Sequence, residues 1–376
     1  MKRWMALICI TALLLTTPAG AVEVAAQAAL LMEKETGEIL YAKNEHEKLE
    51  PASVTKVMTL LLVMEAIDNG QLGYDDIITG SAHACSMGGS QIWLKEGEQM
   101  TVHDMLKAVF VVSANDCAVA LGEAVAGSEA VFVDRMNQRA RELEMNDTTF
   151  RNATGLPAEG HVTSAYDIAV MSRELIRNHP KVREYTTIWM DTLRGGASEL
   201  VNTNKLIRNY NGATGLKTGS TSTAMYCVSA TAERDGMELI SVILKSPTGS
   251  QRVEDARVLL DHGFANYSLV KAAADEVLPP IPVTLGTQAT VQPVLEEQKL
   301  LLEKAKAAKL TKTLELAEGV NAPVAAGDVL GKLLISAGEE LIAEVPVLAG
   351  EEVPRLTWGQ VASRLIRSAL LADEAG

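Results

Sequence analysis

The sequence predicts a mixed α/β (α+β) fold: a helical block joined to an antiparallel sheet, then a small β domain, then a C-terminal amphipathic helix. Three observations carry this expectation. Apolar runs with helical spacing recur from Ser53 to about residue 190. Two strand-like runs, from Ala224 to Ala232 and from Leu239 to Leu244, flank the turn Arg234-Asp235-Gly236. Beyond Leu278-Pro279-Pro280-Ile281-Pro282, short runs punctuated by Gly and Pro replace the helices.

Each element has its own signal. Residues 1–21 read as a secretory signal peptide, with Lys2 and Arg3, an apolar stretch from Trp4 to Leu15, and Ala19-Gly20-Ala21 as the cleavage site. The apolar stretch is short for a membrane span and ends in Thr-Thr-Pro. Ala29 to Tyr41 reads as a hairpin turning at Glu35-Thr36-Gly37. Pro51 discourages helix just upstream of Ser53, and the apolar helix that follows stops at Asp68-Asn69-Gly70. Met105 to Val112 is a second helix, broken by Ser113-Ala114-Asn115 before a third. Val131 to Leu143 is amphipathic, Lys217 opens a hairpin strand, and Val253 to Asn266 closes the domain as a helix on the sheet.

These signals divide the chain into a leader (1–21), a catalytic domain (22–278), a small β-rich domain (279–352) and a terminal helix (353–376). In that helix Trp358, Val361, Ala362, Leu365, Ile366, Ala369 and Leu370 share one side, opposite Gln360, Ser363, Arg364 and Arg367. A basic amphipathic helix with Trp near its start has the pattern of one lying in a membrane interface.

Composition narrows the function. The net charge of −14 becomes −16 once the leader takes Lys2 and Arg3 with it, a poor balance for nucleic-acid binding. The six His are scattered, with no His-x-x-x-His or Cys-x-x-Cys pair, so no metal site and no cofactor is implied. Three Cys remain after the leader (Cys85, Cys117 and Cys227), an odd number that leaves at least one free thiol.

Three short motifs carry the chemistry. Ser53-Val54-Thr55-Lys56 starts a helix, so Ser53 lies near free backbone N–H groups and Lys56 projects from the same face one turn on. A second Ser-x-x-Lys, Ser268 to Lys271, lacks both the start signal and the long helix, and carries no chemistry. Ser113-Ala114-Asn115 offers a hydroxyl and an amide at an interhelix break. Lys217-Thr218-Gly219 puts a cation on a strand, where Gly219 would let a substrate backbone approach the edge. Together they describe a serine nucleophile with a lysine base.

At this point the sequence resembles the serine D-alanyl-D-alanine carboxypeptidases, low-molecular-mass penicillin-binding proteins with a β-lactamase-like catalytic domain. The resemblance runs from about Ala28 to Leu260. It includes Pro51 to Thr59, Ser113-Ala114-Asn115-Asp116, Asn152-Ala153-Thr154-Gly155-Leu156-Pro157 and Gly215 to Gly219; Gly327 to Lys332 resembles the following β domain. It implies that Ser53 is the acyl-ester nucleophile and Lys56 the general base. Ser113 would relay a proton and Asn115 hold a substrate amide. Lys217 and Thr218 would bind the terminal carboxylate, with Gly219 and the backbone of Ser220 beside them. The implied substrates are peptidoglycan stem peptides ending in D-Ala-D-Ala; β-lactams would acylate the same serine. The implied place is the outer face of the cytoplasmic membrane, held to lipid by the C-terminal helix. Alternatives are a β-lactamase or a non-catalytic penicillin-binding wall protein. Glu142 to Asn146 superficially matches the β-lactamase Glu-x-x-x-Asn, but reads as a helix end and solvated face.

Overall fold

The computed structural model describes residues 22–372, so the leader expected over residues 1–21 lies outside the described residues. The expected hairpin forms from β1 (Ala28–Glu33) and β2 (Ile39–Lys43). The first long helices are α1 (Lys56–Asp68), α2 (Val102–Val112), α3 (Asn115–Ala126), α4 (Glu129–Glu142) and α5 (Ala165–Asn178). The chain then returns to the sheet through β3 (Ala213–Thr221), β4 (Met225–Arg234) and β5 (Met237–Ser246), and closes with α6 (Gly249–Asn266).

All five strands pair antiparallel in the order β2-β1-β5-β4-β3. Alternation along the strands assigns the two faces. Leu30, Met32, Ile240, Val242 and Leu244 join the core under the helical block. Leu31, Leu239, Ile243, Val228 and Ala230 pack toward Leu259, Leu260 and Phe264 of α6. The central strands are therefore covered on both faces, which explains their nearly continuous apolar runs.

α1 is the pivot of the block. Lys56 through Met64 are all buried, a pattern that only a helix enclosed on every side can sustain. It packs against α3 and α5. Four of these six helices carry Ser or Thr caps: Thr101 accepts from Asp104 N, Ser128 from Val131 N, Ser164 from Asp167 N and Thr248 from Gln251 N. α1 and α3 have no side-chain cap.

After α6, Tyr267–Ala272 pairs with Gln298–Glu303 on the far side of the proline-rich segment. A four-stranded sheet follows, with Glu340–Ala349 and Val329–Ala337 between Pro293–Leu295 and Leu310–Leu316. Its cores are small, built on residues such as Val283, Leu330 and Val353 in one cluster and Leu333, Ile335 and Val345 in another. The terminal helix forms as α7 (Trp358–Ala372).

One buried carboxylate closes the catalytic domain on itself. Asp255 of α6 accepts from Ala25 N at 3.0 Å, Ala26 N at 3.0 Å, Gln251 Nε2 at 2.9 Å and Ser246 Oγ at 3.2 Å. It ties the N-terminal segment and the end of β5 to the closing helix. Replacing it leaves the buried Ala26 N–H and Ser246 hydroxyl without this partner. Asp255→Ala should lower unfolding stability by about 2–4 kcal/mol, read from the urea midpoint. A loss below 0.5 kcal/mol would contradict this role.

Candidate active site

The two uncapped helices both begin at the site. Ahead of α1, Ala52–Thr55 forms a single 3-10 turn. Ser53 lies on this turn, part-exposed, while Lys56 behind it is fully buried. Ala52 has a positive φ of 49°, a strained conformation for a residue with a Cβ.

Two glycines hold this turn from opposite motifs. Gly155, at φ +82°, lies so close that a Cβ there would fall 1.8 Å from Ala52 O. On Gly219 a Cβ would fall 2.8 Å from Ser53 N and 2.9 Å from Val54 N. The expected reason for Gly219 was substrate approach; the structure adds a prior one, the close approach of the Ser53 turn itself. β3 also begins at Ala213, so Lys217 sits within the strand and does not open it. The signal for a start was the run of polar and glycine residues before Lys217, but pairing with β4 carries the strand back through it.

The Lys56 ammonium position is fully specified. Nζ donates to Ser53 Oγ at 3.0 Å, Asn115 Oδ1 at 2.5 Å and Thr154 O at 2.7 Å. The orientation of the Asn115 amide is fixed because its Nδ2 donates to Gly88 O at 2.6 Å. Thr154 O is placed by an Asx turn, in which Asn152 Oδ1 accepts from Gly155 N at 2.7 Å and Thr154 N at 3.1 Å. Of the three partners, only the Ser53 hydroxyl can also donate. A neutral Lys56 can therefore keep two N–H bonds on Asn115 and Thr154 and turn its lone pair to Ser53. Burial pushes the Lys56 pKa well below its ordinary value; the neighbouring Lys217 cation pushes it further, and Asp116 partly opposes both.

The other predicted residues surround this pair. Ser113 caps the end of α2 at φ 65°, with Oγ buried and without a partner among the described residues. Lys217 is buried, donates to Thr218 O at 2.9 Å, and is brought down to about 7 by desolvation and by Arg252. Thr218 Oγ1 donates to Thr203 Oγ1 at 2.7 Å, and Ser220 is exposed on the edge strand. Glu142 is far less engaged: it is exposed at the end of α4, bonded to Gln138 and Arg139, and absent from the partners of Lys56.

Several supporting residues were not assigned roles from sequence. Asp116, completely buried, accepts from Leu94 N at 2.9 Å, Ile92 N at 3.1 Å and Cys117 N at 2.9 Å. His161 accepts from Arg151 N at Nδ1, so its Nε2 proton points to Thr55 Oγ1 at 2.8 Å. Burial holds His161 neutral, with its pKa down to about 4. Arg252 reaches from α6 to Gly219 O and Cys227 O, both at 3.2 Å. Asp116 and Thr154 lie in segments whose family likeness was visible; His161 and Arg252 had no local signal. Among the described residues no cluster of ligand side chains suits a metal ion.

Comparison with known proteins agrees with this geometry. A family model described as D-alanyl-D-alanine carboxypeptidase matches residues 15–248, and one for the penicillin-binding protein 5 C-terminal domain matches 267–355. The D-alanyl-D-alanine carboxypeptidase DacF of Bacillus subtilis is 39% identical over 338 residues, covering 88% of this chain and 86% of its own. The crystal structure of penicillin-binding protein 5 from Haemophilus influenzae matches with a TM-score of 0.76 and 29% identity, over 89% of this chain and 98% of that one. Penicillin-binding protein D2 of Listeria monocytogenes in its ampicillin-bound form matches at a TM-score of 0.60 and 35% identity, over 65% of this chain and all of that one (100%). With Lys56 buried against Ser53 between three motifs and both family models matched in order, the chain belongs to the S11 family of D-alanyl-D-alanine carboxypeptidases.

Proposed function

We propose that this protein removes the terminal D-alanine from peptidoglycan stem peptides through an acyl-enzyme on Ser53, and that β-lactams acylate the same residue. The observation that carries the reading is the placement of Lys56, a fully buried amine whose one exchangeable partner is the Ser53 hydroxyl. Ser53 Oγ attacks the carbonyl of the penultimate D-Ala while Lys56 takes its proton. The N–H groups of Ser53 and Ser220 receive the developing oxyanion. The C–N bond then breaks, and a proton passes through the unpartnered Ser113 hydroxyl to the leaving amine. Water adds to the ester and releases the shortened peptide.

Lys217 and Thr218 hold the substrate's terminal carboxylate, with Thr218 turning from Thr203. Asn115 first orients Lys56; its second N–H remains for a substrate carbonyl. Serine-type chemistry here needs no cofactor. The catalytic unit extends to about residue 278, and the β domain from 279 to 352 sets its distance from the anchor.

The anchor is the terminal helix. Among the described residues no helix is long and apolar enough to cross a membrane. α7 nevertheless presents Trp358 (90% exposed), Leu365 (67%) and Ile366 (61%) to solvent. Arg364 faces the small domain, donating to Thr287 O at 2.7 Å and Gly286 O at 3.3 Å. The helix would lie in the interface of the outer leaflet of the cytoplasmic membrane with its apolar side down, holding the secreted enzyme on that membrane's outer face.

Four outcomes test this reading. Ser53→Ala should abolish covalent labelling by fluorescent penicillin and leave thermal unfolding intact; an adduct mapped by mass spectrometry to Ser113 or Ser268 would sink the assignment. The rate constant kcat/KM should be bell-shaped in pH. Its acid limb reports loss of the Lys56 proton, and its alkaline limb, from about 7 upward, reports loss of the Lys217 charge. Lys217→Ala should therefore cost about 10–100-fold on free-acid substrates and far less on a carboxylate ester, with no alkaline limb. Equal losses on acid and ester would contradict the carboxylate role. Finally, truncation before Arg355 should release an active carboxypeptidase from membranes, checked by sedimentation with vesicles and by D-Ala release. Persistent sedimentation, or loss of activity on soluble peptide, would mean that α7 is a packed part of the fold.

A further inference from the structure

Trp93 combines three features that folding alone does not call for. Its side chain is 73% exposed, although Ile92 and Leu94 on either side are buried. Its φ is +61°, in the left-handed region where a bulky side chain is strained and Gly or Asn is the ordinary choice. And the backbone around it is pinned to the catalytic motif. Asp116 accepts from Ile92 N at 3.1 Å and Leu94 N at 2.9 Å, while Arg194 Nη1 donates to Ile92 O at 2.9 Å. The same loop places Ser90 O on Asn115 N at 2.7 Å and Gly88 O on Asn115 Nδ2.

The loop is thus bonded to the first residues of α3, Asn115 and Asp116, and it carries the exposed Trp93 three residues beyond Ser90. A loop needing only the left-handed turn would use a small residue. Keeping an indole there leaves a large apolar face in water and adds backbone strain, with little burial in return. The groups assigned to the terminal D-Ala-D-Ala, Lys56, Ser113, Asn115, Lys217 and Thr218, are all buried. An exposed residue on the loop that bonds Asn115 is placed for what lies further along the substrate. A rigid aromatic plane with an open face suits the C–H face of a pyranose ring.

Resting on the carboxypeptidase reading above, we infer that Trp93 is a stacking platform for the glycan that carries the stem peptide, so that this enzyme distinguishes wall-linked substrate from free peptide. The platform is a specificity residue: it touches the sugar and takes no part in bond cleavage. Asp116 and Arg194 act through it as positioning residues.

The experiment compares a disaccharide-pentapeptide with a sugar-free tripeptide ending in D-Ala-D-Ala. Trp93→Ala should raise KM for the disaccharide-pentapeptide about fivefold with kcat unchanged, while tripeptide turnover and penicillin labelling stay at wild-type values. Trp93→Phe should restore most of the loss. In the inactive Ser53→Ala protein, disaccharide without peptide should perturb a tryptophan fluorescence signal that disappears in the Trp93→Phe background. Equal losses on both substrates would make Trp93 merely structural and overturn the proposal. So would an unchanged KM for the disaccharide-pentapeptide, or a fluorescence response to free pentapeptide alone. Failure of the wild-type enzyme to turn over either substrate would instead remove the carboxypeptidase reading, and the fluorescence arm would still decide whether Trp93 binds sugar.

Discussion

The burial of one lysine amine is the constraint on which this structure depends. An ammonium taken out of water costs several kcal/mol unless it is fully paired or loses its charge. The fold does both for Lys56. It surrounds Nζ with three oxygen partners drawn from the turn ahead of α1, the start of α3 and the Asn152–Gly155 turn. It also sets Lys217 nearby, so that the two cations disfavour each other. The result is an amine poised to give up its proton beside a serine, in a core where no water competes.

The same demand explains the surrounding backbone. Helices α1 and α3 forgo the Ser or Thr caps that the others use, and their first turns face the site instead. The Ser53 turn is pressed between Gly155 and Gly219, which come from segments 64 residues apart in sequence. Neither position tolerates a Cβ, because the atom it would meet is backbone and has no rotamer to yield. Ala52 stays in its strained conformation because both sides hold it there. Arg252 secures the outer side by bonding Gly219 O from α6, so the closing helix of the domain also braces the strand beside Ser53.

Beyond the catalytic domain the constraints are looser. The small β domain has two modest cores and exchanges one strand pairing with the end of the catalytic domain. α7 is held to it through Arg364 on two backbone carbonyls, while its large apolar side chains remain open. Such an attachment fixes the direction of the helix without consuming its apolar face.

Much of this was legible in the sequence because the signals are local. Helix starts, the hairpin turns and the composition break follow from proline placement and periodicity over a few residues. Ser53 and Lys56 share a helical face by spacing alone. The order of the sheet was not local: β1 lies beside β5 because their apolar patterns match across some two hundred residues of chain, and only packing selects that pairing. The reason for Gly219, the carbonyl of Thr154 on Lys56, the brace from His161 and the reach of Arg252 are likewise contacts between distant segments. The sequence by itself determined which chemical groups are present and which short elements carry them. The tertiary structure decided which of those groups lose their water and meet, because burial and like-charge proximity, which lower the proton affinity of a lysine, exist only once the chain has closed around it.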